Sequence, residues 1–203
     1  SADKTLRTWT TADAKPGRAL PAAVAAVRVV ATGPDATLLV RGDTVGHLEL
    51  TAGNAKPRTL GAHIGAVNAA AVFPDGKTII TAGADGKVRT WTLKPEPAAT
   101  FPAHPGPLTV IARTVDGKRL ATGSNDGMVR LLASGGGKVQ RTLTGLPGTI
   151  TSAAFARNAA LVVAGNNQGK VRIWNSADGT VVGELAVHTG VVTGVAVHPD
   201  GKR

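Results

Sequence analysis

The chain has no cysteine and no tyrosine, a single methionine, and only three tryptophans and three phenylalanines among 203 residues. Without cysteine, neither a disulfide framework nor a thiolate metal site can exist. With aromatic residues at 3%, the interior must be filled by small and β-branched side chains, chiefly Ala, Val, Leu and Thr, which suit sheets. No segment approaches the ~18 consecutive apolar residues of a membrane-spanning helix, so a water-soluble chain without a membrane span is expected. Carboxylates are scarce as well: 13 stand against 23 Lys and Arg, a net charge of +10.

What the chain has in abundance is self-similarity. From Trp9 the sequence recurs at Leu50, Trp91, Leu132 and Trp174, spacings of 41, 41, 41 and 42 residues, in the range that marks repeat architectures. The clearest unit runs from His63 to Trp91. Within it, apolar stretches alternate with period two between Val72-Phe73-Pro74-Asp75-Gly76-Lys77 and Ala84-Asp85-Gly86, the pattern of short strands joined by tight turns. The same plan predicts strands over 108–112, 119–123 and 128–132, and again over 150–156, 161–164, 170–174 and 181–185. A more worn unit has an apolar strand over 24–30, then strands over 37–40 and 47–50. Lys94-Pro95-Glu96-Pro97 interrupts regular pairing and leaves 98–101 as an outer edge strand. Ser134-Gly135-Gly136-Gly137 reads as a flexible turn and not a phosphate loop, since no helix follows it. The expectation is an all-β chain with negligible helix.

The charges follow the repeat. Lys77, Lys118 and Lys202 share one place in an Asp-Gly-Lys turn, and Arg7, Arg89, Arg130 and Arg172 share a column two residues before the Trp or its replacement. Repetition is expected to spread them around the molecule in solubilising and stem-packing roles. There is no basic run and no basic-aromatic interleaving, so no specific nucleic-acid partner is expected.

A period of about 41 residues with four short strands, an early His and a Trp closing the third strand resembles the WD-repeat β-propeller family. The resemblance implies four-stranded antiparallel blades in about five repeats of 41–42 residues, with both end blades split at the termini. Residues 1–19 would form a half blade, 20–61, 62–102, 103–144 and 145–186 complete blades, and 187–203 a second half blade. Asp200-Gly201-Lys202-Arg203 aligns with Asp116-Gly117-Lys118-Arg119, and Ser1-Ala2-Asp3 with Ser124-Asn125-Asp126. The arc so formed would be completed by further repeats or by another chain. Trp9-Thr10, Trp91-Thr92 and Trp174-Asn175 stand where the family has Trp-Asp.

By the same resemblance His63, Thr81, Asp85 and Trp91 form a structural hydrogen-bond chain, a buried Trp N–H needing an acceptor and a carboxylate holding one imidazole tautomer. Their residue types overlap a hydrolase triad, which would need a nucleophile presented to a pocket. The next unit keeps His104, Thr122 and Asp126 but has Leu132 for Trp; the one after has Ala164 and Gln168 in place of hydroxyl and carboxylate. His63, His104 and His188 share one column and His198 lies in His-Pro-Asp-Gly, an arrangement that spaces them apart instead of converging them on a metal. The function expected is therefore a noncatalytic protein-interaction scaffold or a module of a longer multidomain protein, with no cofactor and no metal. The family's contact positions map onto Asn68, Thr109, Thr151, Thr193, Asn125 and Asn167, a candidate face for a protein or peptide partner. The competing expectation is a propeller enzyme, or a carbohydrate- or polyanion-binding module using the central channel.

Overall fold

A computed structural model describes residues 2–9, 12–94, 97–186 and 188–198, with Arg18 by its backbone alone. Ser1, Thr10, the Pro95-Glu96 break and the expected turn Asp200-Gly201-Lys202-Arg203 lie outside the described residues. Within them the chain is all strand and turn, with no helix.

The strands form five antiparallel meanders. The hairpin of β1 (Leu6–Trp9) and β2 (Pro16–Leu20) comes first. Four-stranded sheets follow, called blades one to four. Blade one is β3 (Val27–Thr32), β4 (Leu38–Asp43), β5 (His47–Ala52) and β6 (Arg58–Ala62). Blade two is β7 (Val67–Val72), β8 (Ile79–Gly83), β9 (Lys87–Trp91) and β10 (Pro97–Pro102). Blade three is β11 (Leu108–Arg113), β12 (Arg119–Ser124), β13 (Val129–Ala133) and β14 (Val139–Leu143). Blade four is β15 (Ile150–Phe155), β16 (Leu161–Asn166), β17 (Val171–Asn175) and β18 (Val181–Leu185). The first strand of blade one starts at Val27 instead of Val24, because Val24 is exposed in the loop that precedes it. Among the described residues no sheet joins the two ends of the chain: β1 pairs with β2, and residues 191–198 form no strand.

The core lies between blades. One apolar cluster combines Val40, Leu48 and Leu50 of blade one with Val67, Ile79 and Trp91 of blade two. A second joins Ile80, Val88 and Phe101 to Leu108, Leu120 and Leu132, and a third joins Val129, Leu131 and Leu143 to Ile150, Val162 and Trp174. Blades two and three are thus covered on both faces, which is why their strands carry bulk on alternate and adjacent positions alike. Close approach depends on a small residue in each second strand. A Cβ on Gly42 would stand 2.6 Å from that of Val67, one on Gly123 2.5 Å from Ile150 Cγ2, and one on Gly165 2.4 Å from Val192 Cγ1; Ala82 holds the equivalent place opposite Leu108. Val192 is buried although its segment belongs to no sheet, and its N–H donates to Asn166 O at 3.0 Å.

The turn between first and second strands needs a residue in the left-handed region, where only glycine sits without strain. Blades two and three supply Gly76 (φ 64°) and Gly117 (φ 70°), whereas blades one and four force Ala36 (φ 57°) and Ala159 (φ 59°) into the same slot.

Candidate functional site

The four residues singled out in the second unit meet in blade two. The loop before β7 carries His63, β8 carries Thr81, the β8–β9 turn carries Asp85 and β9 ends in Trp91. Trp91 Nε1 donates to Thr81 Oγ1 at 2.8 Å, Thr81 Oγ1 lies 2.7 Å from His63 Nε2, and His63 Nδ1 lies 3.0 Å from Asp85 Oδ1. Hydrogen accounting orders the chain. Thr81 oxygen accepts the indole N–H, so its own hydrogen is directed to Nε2, and the remaining imidazole hydrogen on Nδ1 is donated to the carboxylate. Asp85 Oδ2 also accepts the Ile64 N–H at 3.2 Å, tying the loop to the turn.

Sequence reasoning missed a fifth member. Arg89 Nη1 donates to Asp85 Oδ2 at 2.7 Å and lies against His63 Nδ1. The arginine column was visible, but its place in a chain of buried groups was not; the signal was the Asp-x-x-x-Arg spacing that recurs in Asp126 and Arg130. There Arg130 donates to Asp126 Oδ2 at 2.8 Å, His104 Nδ1 lies 2.9 Å from the same oxygen, and His104 Nε2 lies 2.9 Å from Thr122 Oγ1. With Leu132 in the Trp place, the chain ends at Thr122.

These contacts fix the charges. Burial lowers the pKa of His63, and Arg89 adds to the lowering, outweighing the opposing pull of Asp85. His104 is lowered chiefly by burial too, with Arg130 assisting against Asp126. Both imidazoles are neutral at pH 7. Burial works to raise Asp85, yet the hydrogen bonds from His63, Arg89 and the Ile64 N–H bring it down to about 2, so a carboxylate faces a guanidinium and a neutral ring.

The other two blades solve the same problem differently. In blade four Ala164 offers no hydroxyl, and Trp174 Nε1 donates instead to Thr144 O at 3.3 Å. Arg172, with no carboxylate at Gln168, turns to Glu184. In blade one the places of His63, Thr81, Asp85 and Trp91 are taken by Ala23, Arg41, Val45 and Thr51, the last one residue beyond the Leu50 that the 41-residue spacing predicts. The buried Arg41 guanidinium reaches Glu49 at 2.5 Å and Pro21 O at 2.6 Å, doing with one charged pair what blade two does with five groups.

The candidate face divides in two. Asn68, Thr109 and Thr151 each sit at a β-bulge, the register passing over them between Val67 and Ala69, Leu108 and Val110, and Ile150 and Ser152. A bulge re-aims its extra side chain, and all three are half-buried and point to the next unit. Asn68 Nδ2 donates to Leu108 O at 2.6 Å, Thr109 Oγ1 to Ile150 O at 2.5 Å, and Thr151 Oγ1 to Val192 O at 2.5 Å. Asn125, Asn167 and Thr193 are exposed. Asn167 Oδ1 accepts the Thr149 N–H at 3.0 Å, which shapes the loop entering blade four.

The family described as WD domain, G-beta repeat matches this chain three times, over residues 55–92, 95–131 and 137–175. These matches cover more than half of the sequence, and the chain belongs to the WD-repeat family. Each match starts one strand ahead of a sheet, taking the outer strand of one blade with the inner three of the next, so the unit of sequence is staggered against the unit of structure. No curated protein matches the chain.

Proposed function

We propose that the chain is a noncatalytic protein-interaction module whose blades form part of a propeller ring. Repeats of this family generally mediate protein–protein interaction. The observation that carries the reading is the fate of the one constellation with catalytic composition. Thr81 is 0% exposed, its oxygen already accepts the Trp91 N–H, and its hydrogen is directed to His63. A nucleophile must reach a substrate carbonyl beside an oxyanion site, and this hydroxyl is enclosed within the sheet it stabilises. The chain's reactive groups serve the scaffold, and Asn125, Asn167 and Thr193, exposed at the end where each first strand begins, serve the partner.

The test is partner capture with the tagged chain, comparing the parent with Asn125→Arg/Asn167→Arg. The expected result is that a defined set of proteins is lost from the variant while its circular dichroism is unchanged. An identical protein set from both would remove this face from the account.

A further inference from the structure

The strands of a meander give every blade two ends. The entry end bears the loops between blades and the turns between second and third strands; the far end bears the other two turns. Repetition spreads charge around the blades as expected, but it also returns each column to the same end. Among the described residues of the four blades, the entry end has seven Lys and Arg against five carboxylates, and the far end has ten against four. At the entry end four arginines are ion-paired: Arg41 with Glu49, Arg89 with Asp85, Arg130 with Asp126 and Arg172 with Glu184.

At the far end the carboxylates are committed to their own turns. Asp35 accepts from Thr37, Asp75 from Lys77 N–H and Thr78, Asp116 from Thr114 and Lys118 N–H, and Asp178 from Thr180. Among the described residues no far-end cation of these blades forms an ion pair.

Between blades two and three this end opens into a groove of about 400 Å³, lined by Phe73, Ala98, Ala99, Thr92, Ser134 and Gly135 among others. It exists because small side chains leave it unfilled: a Cβ on Gly135 would meet nothing within 4 Å. Lys77, Lys94, Lys118 and Lys138 are exposed and flank the lining residues in sequence. Beside them stand partly exposed aliphatic side chains, Leu93 (45%), Val115 (61%) and Val139 (40%).

We propose that this groove docks an acidic polypeptide segment with interspersed aliphatic side chains. The inference rests on the interaction-module reading and adds a second surface with its own partner chemistry. Lysines supply mobile point charges for scattered carboxylates, while three of the far-end arginines, whose forks suit phosphate, are held by backbone carbonyls: Arg58 by Leu93 O, Arg119 by Ala159 O and Arg141 by Ala177 O. Sequence-independent binding of single-stranded nucleic acid uses aromatic platforms for its bases, and the groove's one aromatic, Phe73, is buried. The aliphatic neighbours of the lysines have no counterpart on a sugar-phosphate chain but do on an acidic peptide.

The full chain is titrated, at about 0.15 M salt, into a fluorescein-labelled peptide of alternating Asp and Leu, and into an Asp-Ser peptide of equal length, a single-stranded oligonucleotide and phosphatidylserine vesicles. The expected result is saturable binding that is tightest for the Asp-Leu peptide. Lys94→Glu/Lys118→Glu is expected to weaken it about tenfold or more, as charge reversal at a complementary surface does, and Lys87→Glu/Lys170→Glu at the entry end to leave it within about twofold. Gly135→Leu, which grows into open space, is expected to weaken it with the fold intact and decides the matter if the double variant misfolds. Tighter binding of the oligonucleotide or vesicles, equal binding of both peptides, equal loss from the entry-end variant, or no binding would each overturn the proposal. If partner capture still depends on Asn125 and Asn167 while the probe fails to bind, the module reading stands and this groove falls.

Discussion

Blades one and two have the same meander, the same bulge and a small residue at the same place in the second strand, Gly42 and Ala82, yet their interiors are held by different chemistry. Blade two relays one proton position to the next through an indole, a hydroxyl, a neutral imidazole and a carboxylate closed by Arg89. Blade one drops all four and buries Arg41 against Glu49 and Pro21 O. The comparison teaches that the fold requires the loop before the first strand to be pinned to the second and third strands, and that it is indifferent to the residues that pin it. The two solutions differ in how they fail. In blade two the neutral members, indole, hydroxyl and imidazole, precede the Asp85–Arg89 ion pair and are lost one hydrogen bond at a time, while a pin made of a buried ion pair alone loses everything when one partner goes.

The largest effect should therefore come from Glu49→Ala, which leaves the Arg41 charge buried and uncompensated, at a cost of about 3–5 kcal/mol; a loss in urea denaturation smaller than that of Thr81→Val would break the contrast. Next comes Thr81→Val, which strands Trp91 Nε1 and His63 Nε2 together and is expected to cost about 1–3 kcal/mol. Thr122→Val removes the partner of His104 and a 3.4 Å bond to Arg130 O but leaves no indole unpaired; it should cost measurably less, so equal losses at the two threonines would remove the indole from the relay.

Acid should separate the blades in the same way. The folded pKa values of His63 and His104 lie below the unfolded value near 6.5. The unfolded chain thus binds protons first, and the stability these groups support is full above about pH 6.5 and declines as pH falls below it. For Asp85, unfolded near 3.8 and folded at about 2, the contribution is lost across the window between those values. Denaturation midpoints measured from pH 7 to 5 should slope less in His63→Gln/His104→Gln than in the parent; parallel slopes would contradict the burial of neutral rings. The smallest effect is expected at Ala159→Gly, which relieves a left-handed alanine in blade four and should gain about 0.5–1 kcal/mol, while Gly117→Ala in the same slot of blade three should lose stability.

How much of this could be read in advance depended on whether a residue repeated. The blades were legible because Pro-Asp-Gly turns and period-two strands recur at fixed spacing, and the blade-two relay because His63, Thr81, Asp85 and Trp91 stand in columns. Arg89 was seen but misplaced, since a column of arginines looks the same whether it faces water or a buried carboxylate. Arg41 and Glu49 were illegible for the opposite reason: they break the columns, and only the cross-strand pairing of β4 with β5 sets them opposite each other. The bulges that turn Asn68, Thr109 and Thr151 toward the following blade arise from register, which a one-residue slip alters without changing any spacing in the chain. The concentration of lysines at the far end was hidden likewise, because a period gives angular position around the array and only the strand direction gives the end.

The glycine hollows of the second strands carry a consequence for assembly. Gly42, Gly123 and Gly165 receive Val67, Ile150 and Val192 on one face, and the blade's own first strand presents the matching knob on the other. Donor and acceptor surfaces of a single blade are therefore complementary to each other and not to themselves, which is the definition of a head-to-tail contact with no internal stop. Duplicating a blade within such an array creates two correct joints and no wrong one. The number of blades is then a matter of the angle at which the joint repeats, and copying a segment of the chain lengthens the protein without asking for a new core.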